Sequence, residues 1–303
     1  MSRPLSELTP EELLEGYLCL VPDRYRVTPA LLRAKTVDCD YFWPEMSEED
    51  AGAWVAVKRG GPWTEPGTAH VAAVGGSGGE AVAMLLRDKL KELANEGISK
   101  VTFGAGPDHL FPGCPTDADI LEKALGAAGF SFAGEAHDVE ADLAQYQRPA
   151  LAAEGLKVRR ASAFDASALD GFLAKTFPGR WRHDVMKRFG SCPADVVVLE
   201  HGGEIAGMAM TQSFLSPGVP QAGGVWHLDL GEKWGAVGPI GVAEVHRGQG
   251  WGHALLAWAL EDLRAQGVQR AIIDWTSLLG FYGQHGFEKT RTYRYATASV
   301  SPR

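Results

Sequence analysis

Cysteine is scarce and scattered in this chain: Cys19, Cys39, Cys114 and Cys192 are the four among 303 residues. No C-x-x-C pair occurs and no His stands beside them at metal-ligand spacing. That argues against a disulfide framework and a structural zinc site, and no metal is expected. Long apolar runs are missing too, so no stretch approaches the ~20 residues of a membrane-spanning helix. The opening MSRPLSELTPEELLEGYLCLV carries acids where a secretion signal needs a basic region and then an apolar run. A reducing cytoplasm is the expected home. Cationic excess is absent as well. With 29 Lys and Arg against 38 Asp and Glu, the net charge of −9 speaks against a nucleic acid or an anionic membrane as partner.

What the chain does have is enough apolar residue, 45%, for a sizeable core, and enough length for two domains. A polar run closing at Pro149 divides it, and two domains are expected, 1–150 and 151–303. Both halves read as strand, Gly-rich turn, amphipathic helix, strand, short helix, Gly-Phe pair and final strand. In the first half this order runs from His70–Val74 through the helical Glu80–Asn95, Lys100–Phe103 and the helical Asp117–Ala128 to Gly129-Phe130. In the second it runs from a strand near Gly238–Val242 through the helical Gly252–Ala265 and Ala271–Asp274 to Gly286-Phe287. The alternation predicts an α/β fold, and the repetition predicts a tandem duplication.

The most informative stretch is Arg247-Gly248-Gln249-Gly250-Trp251-Gly252, set between a strand and a helix. Glycines at alternate positions let the main chain curl so that successive N–H groups point inward. With the helix dipole behind them they suit a pyrophosphate, and Arg247 adds a cation. The spacing is neither that of a P-loop, because no Lys-Ser or Lys-Thr follows, nor that of a dinucleotide fingerprint. A plain tight turn is the competing reading.

This segment resembles the acyl-CoA-binding motif of the GNAT superfamily of N-acetyltransferases, [QR]-x-x-G-x-[GA]. The family's V-x-P-x-x-R-G-x-G is matched by Val242 to Gly250, with Glu244 where Pro is usual. The resemblance implies two tandem GNAT-like domains, each a twisted mixed sheet flanked by helices. In the second domain it implies central strands that splay apart around acetyl-CoA, with no metal. Ile240, Gly241 and Val242 would meet the pantetheine, and residues Arg247 to His253 the pyrophosphate.

Asp274 to Glu288 resembles the family's next motif, with its F-Y-x-x-x-G-F ending in Phe281-Tyr282-Gly-Gln-His-Gly286-Phe287. By that resemblance Tyr282 is the general acid that protonates the departing thiolate; a buried packing tyrosine is the alternative. Asp274, an acid ending an apolar strand, is read as binding the amine and helping to take its proton, or else as a helix cap. Glu244 is a weaker candidate base. Phe177-Pro-Gly-Arg180-Trp181 falls where the family builds its acceptor pocket.

The first half keeps glycines, Gly75-Gly-Ser-Gly-Gly79, but has no Arg among them and no counterpart of the tyrosine. It reads as a degenerate GNAT-like domain. Its Phe111-Pro-Gly-Cys-Pro115 loop, together with Gly238-Pro-Ile-Gly-Val242, resembles a tandem GNAT subgroup that includes glucosaminide N-acetyltransferases. The expected activity is therefore direct transfer of acetyl to a small-molecule primary amine, an amino sugar by this resemblance. An aminoglycoside, a polyamine or a peptide amine stays open as acceptor, as does a non-catalytic acyl-CoA-binding module.

Overall fold

The computed structural model describes residues 2–39, 42–43, 46–48, 52–61, 64–149 and 155–301. The chain forms two compact units, Met1–His137 with Arg291–Arg303, and Asp138–Thr290. The sequence placed a single boundary at 150/151, which lies outside the described residues. The units instead part inside two long strands, His137 and Asp138 belonging to one and Thr290 and Arg291 to the other. Loop composition near Pro149 marks a connection, whereas strand pairing decides which residues are neighbours.

The first unit contains β1 (Ser2–Pro4), α1 (Pro10–Leu18), α2 (Pro29–Lys35), β2 (Phe42–Trp43), β3 (Met46–Glu48), β4 (Ala53–Arg59) and β5 (Thr68–Gly76). After these come α3 (Gly79–Asn95), β6 (Lys100–Phe103), β7 (Cys114–Pro115), α4 (Asp119–Ala128) and the start of β8 (Ser131–Asp142). Its sheet is mixed: β4 and β5 are antiparallel, β5 and β6 parallel. The strand beside β6 is the last of the chain, whose Ala296–Ser299 run antiparallel to Lys100–Phe103.

In the second unit follow β9 (Lys157–Arg160), α5 (Ala166–Thr176), α6 (Arg180–Ser191), β10 (Val196–His201), β11 (Glu204–Ser213), α7 (His227–Leu230) and β12 (Trp234–Val242). Then come α8 (Trp251–Ala265), β13 (Arg270–Thr276), α9 (Leu279–Gly283) and β14 (Glu288–Ser299). Strand order runs β8-β13-β12-β11-β10-β9, antiparallel throughout β9 to β12 and parallel between β12 and β13. Helices cover the sheet: Leu255, Leu256, Leu260 and Leu263 of α8 pack with Val197, Leu199 and Ile273 in one core. Leu169, Leu173, Val185 and Phe189 of α5 and α6 pack with Val196, Val198 and Met208 in another. Each fully buried leucine of this kind stabilises the fold by roughly 1.5–3 kcal/mol.

The protein is thus mixed α/β, a mixed sheet flanked by helices. Strand β12 starts at Trp234 rather than near Gly238, because Gly235, Gly238 and Pro239 disguise a strand whose alternation they interrupt. Among the described residues no helix is long and apolar enough to cross a membrane.

Candidate active site in the second unit

Strands β12 and β13 pair over Trp234–Ala236 and Arg270–Ile272 and then part, although one continues to Val242 and the other to Thr276. The splay expected between the central strands is therefore present. On its far side β12 stays paired with β11 up to Gly207↔Val242, with a register shift between Ala209 and Thr211. Beyond Ala236 the peptide groups of β12 consequently have β11 on one edge and no β13 partner on the other, and at Ile240–Val242 that side faces a cavity. That is what an extended ligand needs in order to add itself to a strand.

A cavity of about 580 Å³ occupies this opening. One wall is Ile240, Gly241 and Val242 of β12, facing Phe177 and Trp181. Another is Leu278, Phe281 and Tyr282, at and before α9. Its end is the turn itself, Arg247, Gly248, Gly250, Gly252 and His253. The glycine at 241 is a spatial requirement, since a Cβ there would come within 2.4 Å of the Phe177 ring. Those at 248 and 250 are conformational requirements, with φ of 75° and 79°. A left-handed residue at each lets the chain coil into α8 with its first N–H groups bare, as a helix start must leave them. This cradle suits an anionic pyrophosphate. Among the described residues no group of His, Cys, Asp and Glu could hold a metal ion.

Two residues of the motif do not line the cavity. Trp251 is a core residue, stacked on His246 with ring centroids 3.9 Å apart. The Gln249 side chain turns back to donate to the Val245 carbonyl at 3.0 Å. Only their backbone groups are placed to serve a ligand.

Tyr282 is 6% exposed and lines the cavity. Burial, and then the Asp274 carboxylate, push its phenol up to about 12, against the hydrogen bond to Thr276, which pulls it down. The hydroxyl therefore keeps its proton at every physiological pH. Asp274 stands on the β13 side of the splay without lining the cavity. Its Oδ1 lies 3.5 Å from where a Cβ on Gly238 would stand. The next residue, Trp275, has a left-handed backbone at φ 48°. Its N–H donates to the fully buried Asp138 at 3.2 Å. Arg180 lies over the Trp275 ring, 4.3 Å from its centroid. Glu244 lines a neighbouring cavity, between α5 and the β10–β11 hairpin, which shares Arg247 with this one.

A hydrogen-bond chain behind the wall escaped the sequence. Tyr146 Oη is 3.1 Å from His285 Nδ1, and His285 Nε2 is 3.0 Å from His253 Nδ1. Burial and the neighbouring His253 push His285 down to about 4. No periodicity announces such a contact, because Tyr146 lies far along the chain from both histidines.

In the first unit the corresponding turn has another backbone. None of Gly75, Gly76, Gly78 or Gly79 has a left-handed φ. A Cβ on Gly75 would stand 2.3 Å from the Trp54 indole. Gly75 makes room for a buried tryptophan, and Gly76 and Gly79 for Val82 and Ile120.

Residues 167–287 match the Acetyltransferase (GNAT) family, so the second unit carries a GNAT-family domain, of a family whose members use acetyl-CoA. Over its whole length the chain has the tandem GNAT fold. It aligns on a fungal structure titled a GCN5-related glucosamine N-acetyltransferase region of a multi-domain β-N-acetylglucosaminidase. There the TM-score is 0.86 at 18% identity, covering 98% of this chain and 38% of that one. This chain thus spans well under half of that protein's length. A GCN5-related N-acetyltransferase from Sphaerobacter thermophilus gives 0.67 at 15% identity, covering 100% and 96%. A tandem GNAT protein of the clavulanic acid biosynthesis pathway gives 0.65 at 15%, covering 100% and 99%. No curated protein sequence matches the chain.

Proposed function

We propose that the second unit transfers acetyl from acetyl-CoA to the primary amine of a small molecule, with an amino sugar as the acceptor class. The observation that carries this reading is the cavity in the β12–β13 splay. It ends on the left-handed Gly248–Gly250 turn and is walled by Tyr282. Acetyl-CoA supplies the activated thioester; the chain's residues bind it, orient it and handle protons. Backbone N–H groups at the start of α8, with Arg247, hold the pyrophosphate. The open edge of β12 at Ile240 and Val242 holds the pantetheine amides, and a free N–H there steadies the charge that grows on the thioester oxygen. Asp274 receives the amine and, directly or through water, its proton. The Tyr282 hydroxyl donates to the departing sulfur. A phenol near 12 is a weaker acid than an alkyl thiol of about 8.5, so full proton transfer stays uphill even after the C–S bond has broken, and the hydroxyl acts chiefly as a hydrogen-bond donor to the developing thiolate.

The amino-sugar class is supported by the fungal structure named above and by the carboxylate of Asp274 on the β13 side of the splay. The first unit serves as a degenerate domain without acetyl-CoA turnover, and four free cysteines suit a reducing cytoplasm. The test is thiol release from acetyl-CoA across an amine panel led by glucosamine and its oligomers. Turnover with glucosamine supports the reading. Tight acetyl-CoA binding without turnover on any amine reduces the protein to a binding module, and turnover confined to polyamines or peptide amines removes the sugar assignment.

A further inference from the structure

His253 is the third residue of α8 and faces the cavity, where its ring packs on Phe281 at 4.4 Å between centroids. Its Nδ1 is committed to His285, and among the described residues Nε2 has no protein partner. The form in which that nitrogen meets an anion matters. As a bare lone pair it repels a phosphate oxygen. As imidazolium it places a cation in the first turn of a helix, against the macrodipole. The neutral ring with its proton on Nε2 avoids both penalties, and a buried chain selects it.

His285 is 2% exposed and both its nitrogens are engaged. A neutral imidazole must donate through one nitrogen and accept through the other. The direction is set at the far end. Tyr146 is 7% exposed, and among the described residues its hydroxyl meets one partner, His285 Nδ1. A buried O–H that failed to donate would lose about 1–3 kcal/mol, so Tyr146 donates. His285 then carries its proton on Nε2 and donates to His253 Nδ1, and His253 is left with its proton on Nε2.

We infer that Tyr146 and His285 are positioning residues that lock His253 as a neutral Nε2–H donor to the anionic pyrophosphate of acyl-CoA. This inference rests on acyl-CoA as the ligand of the cavity. The ionisable groups around the chain are Arg247 in the turn and Tyr282 on α9. At the Tyr146 end they are Glu261 and Arg264 of α8, with Arg148. None of these accepts from the Tyr146 hydroxyl or bonds to either imidazole, so none reverses the direction.

The experiment pairs ¹⁵N-histidine NMR of the intact protein with calorimetry of CoA binding at pH 8. His253 should show the Nε2–H tautomer before and after CoA is added, with no proton taken up on binding. Tyr146→Phe removes the bias and keeps the ring. It should weaken CoA binding by between about two- and tenfold at pH 8. A melting scan confirms that the variant is folded, and His285→Phe should repeat the pattern. The inference is overturned by an Nδ1–H or cationic His253 in the complex, or by variants that bind like wild type. Wild type that binds no CoA overturns the acetyltransferase reading along with it, whereas wild type that binds while Tyr146→Phe changes nothing overturns this inference alone.

Discussion

Tyr282 and Asp274 show how one carboxylate can serve two partners in a cleft. Burial and then Asp274 raise the phenol's pKa, which keeps Tyr282 protonated while weakening it as an acid, and the same Asp274 charge attracts an ammonium. Replacing Tyr282 with Phe removes one hydroxyl and little packing. The acetylation rate kcat should fall by ~10²–10⁴-fold, with KM for acetyl-CoA nearly unchanged, because the lost interaction grows in the transition state. Steady-state kinetics on the true amine checks this, and a wild-type kcat would make Tyr282 a wall and nothing more. His285 gives a second prediction, in stability. Its folded value of about 4 lies below the ~6.5 of a free imidazole, so the unfolded chain binds the proton first. The resulting loss is absent above about pH 6.5 and grows as pH falls toward 4. Denaturant titrations should show wild type losing more stability than His285→Gln across that window, at up to about 1.4 kcal/mol per unit of displacement. Parallel curves would show that His285 protonates freely in the fold.

Among the elements, the turn between β12 and α8 is the most demanding. Gly250 stands at φ 79°, where a side chain costs roughly 1–2 kcal/mol, and it opens the cradle. Gly250→Glu adds both that strain and a negative charge facing the pyrophosphate, and should abolish acetyl-CoA binding by calorimetry while the protein stays folded. Binding within a few-fold of wild type would move the anion elsewhere. The matching turn in the first unit has glycines of another kind: Gly75 yields its space to Trp54 and keeps an ordinary backbone. Titration should therefore find one acetyl-CoA per chain, and two comparable sites would contradict this reading of the two turns.

At the scale of the whole molecule, the compact units do not coincide with the halves of the sequence. The first includes Arg291–Arg303, and the second starts at Asp138. A fragment comprising residues 151–303 therefore lacks Asp138, which holds Trp275, and Tyr146, which anchors the relay. It also exposes the edge of β13 that β8 covers. The fragment should be aggregated or molten by circular dichroism and light scattering, whereas the intact chain should unfold cooperatively. A monomeric fragment with native acetyl-CoA affinity would show that β8 is dispensable.

Local chemistry was legible in the sequence wherever a short segment specifies its own backbone. The Arg247–Gly252 turn, the helix behind it, the Phe281-Tyr282 pair and the α/β alternation could be read because glycine conformations, apolar periodicity and motif spacing are local properties. What sequence could not supply depends on pairs distant along the chain. Strand exchange through β8 and β14, the turning of Trp251 into the core, the placing of Glu244 in a neighbouring cavity and the Tyr146–His285–His253 chain are all of this kind. Only tertiary packing decided them, since each is fixed by which segments the fold brings side by side, and no local pattern encodes those neighbours.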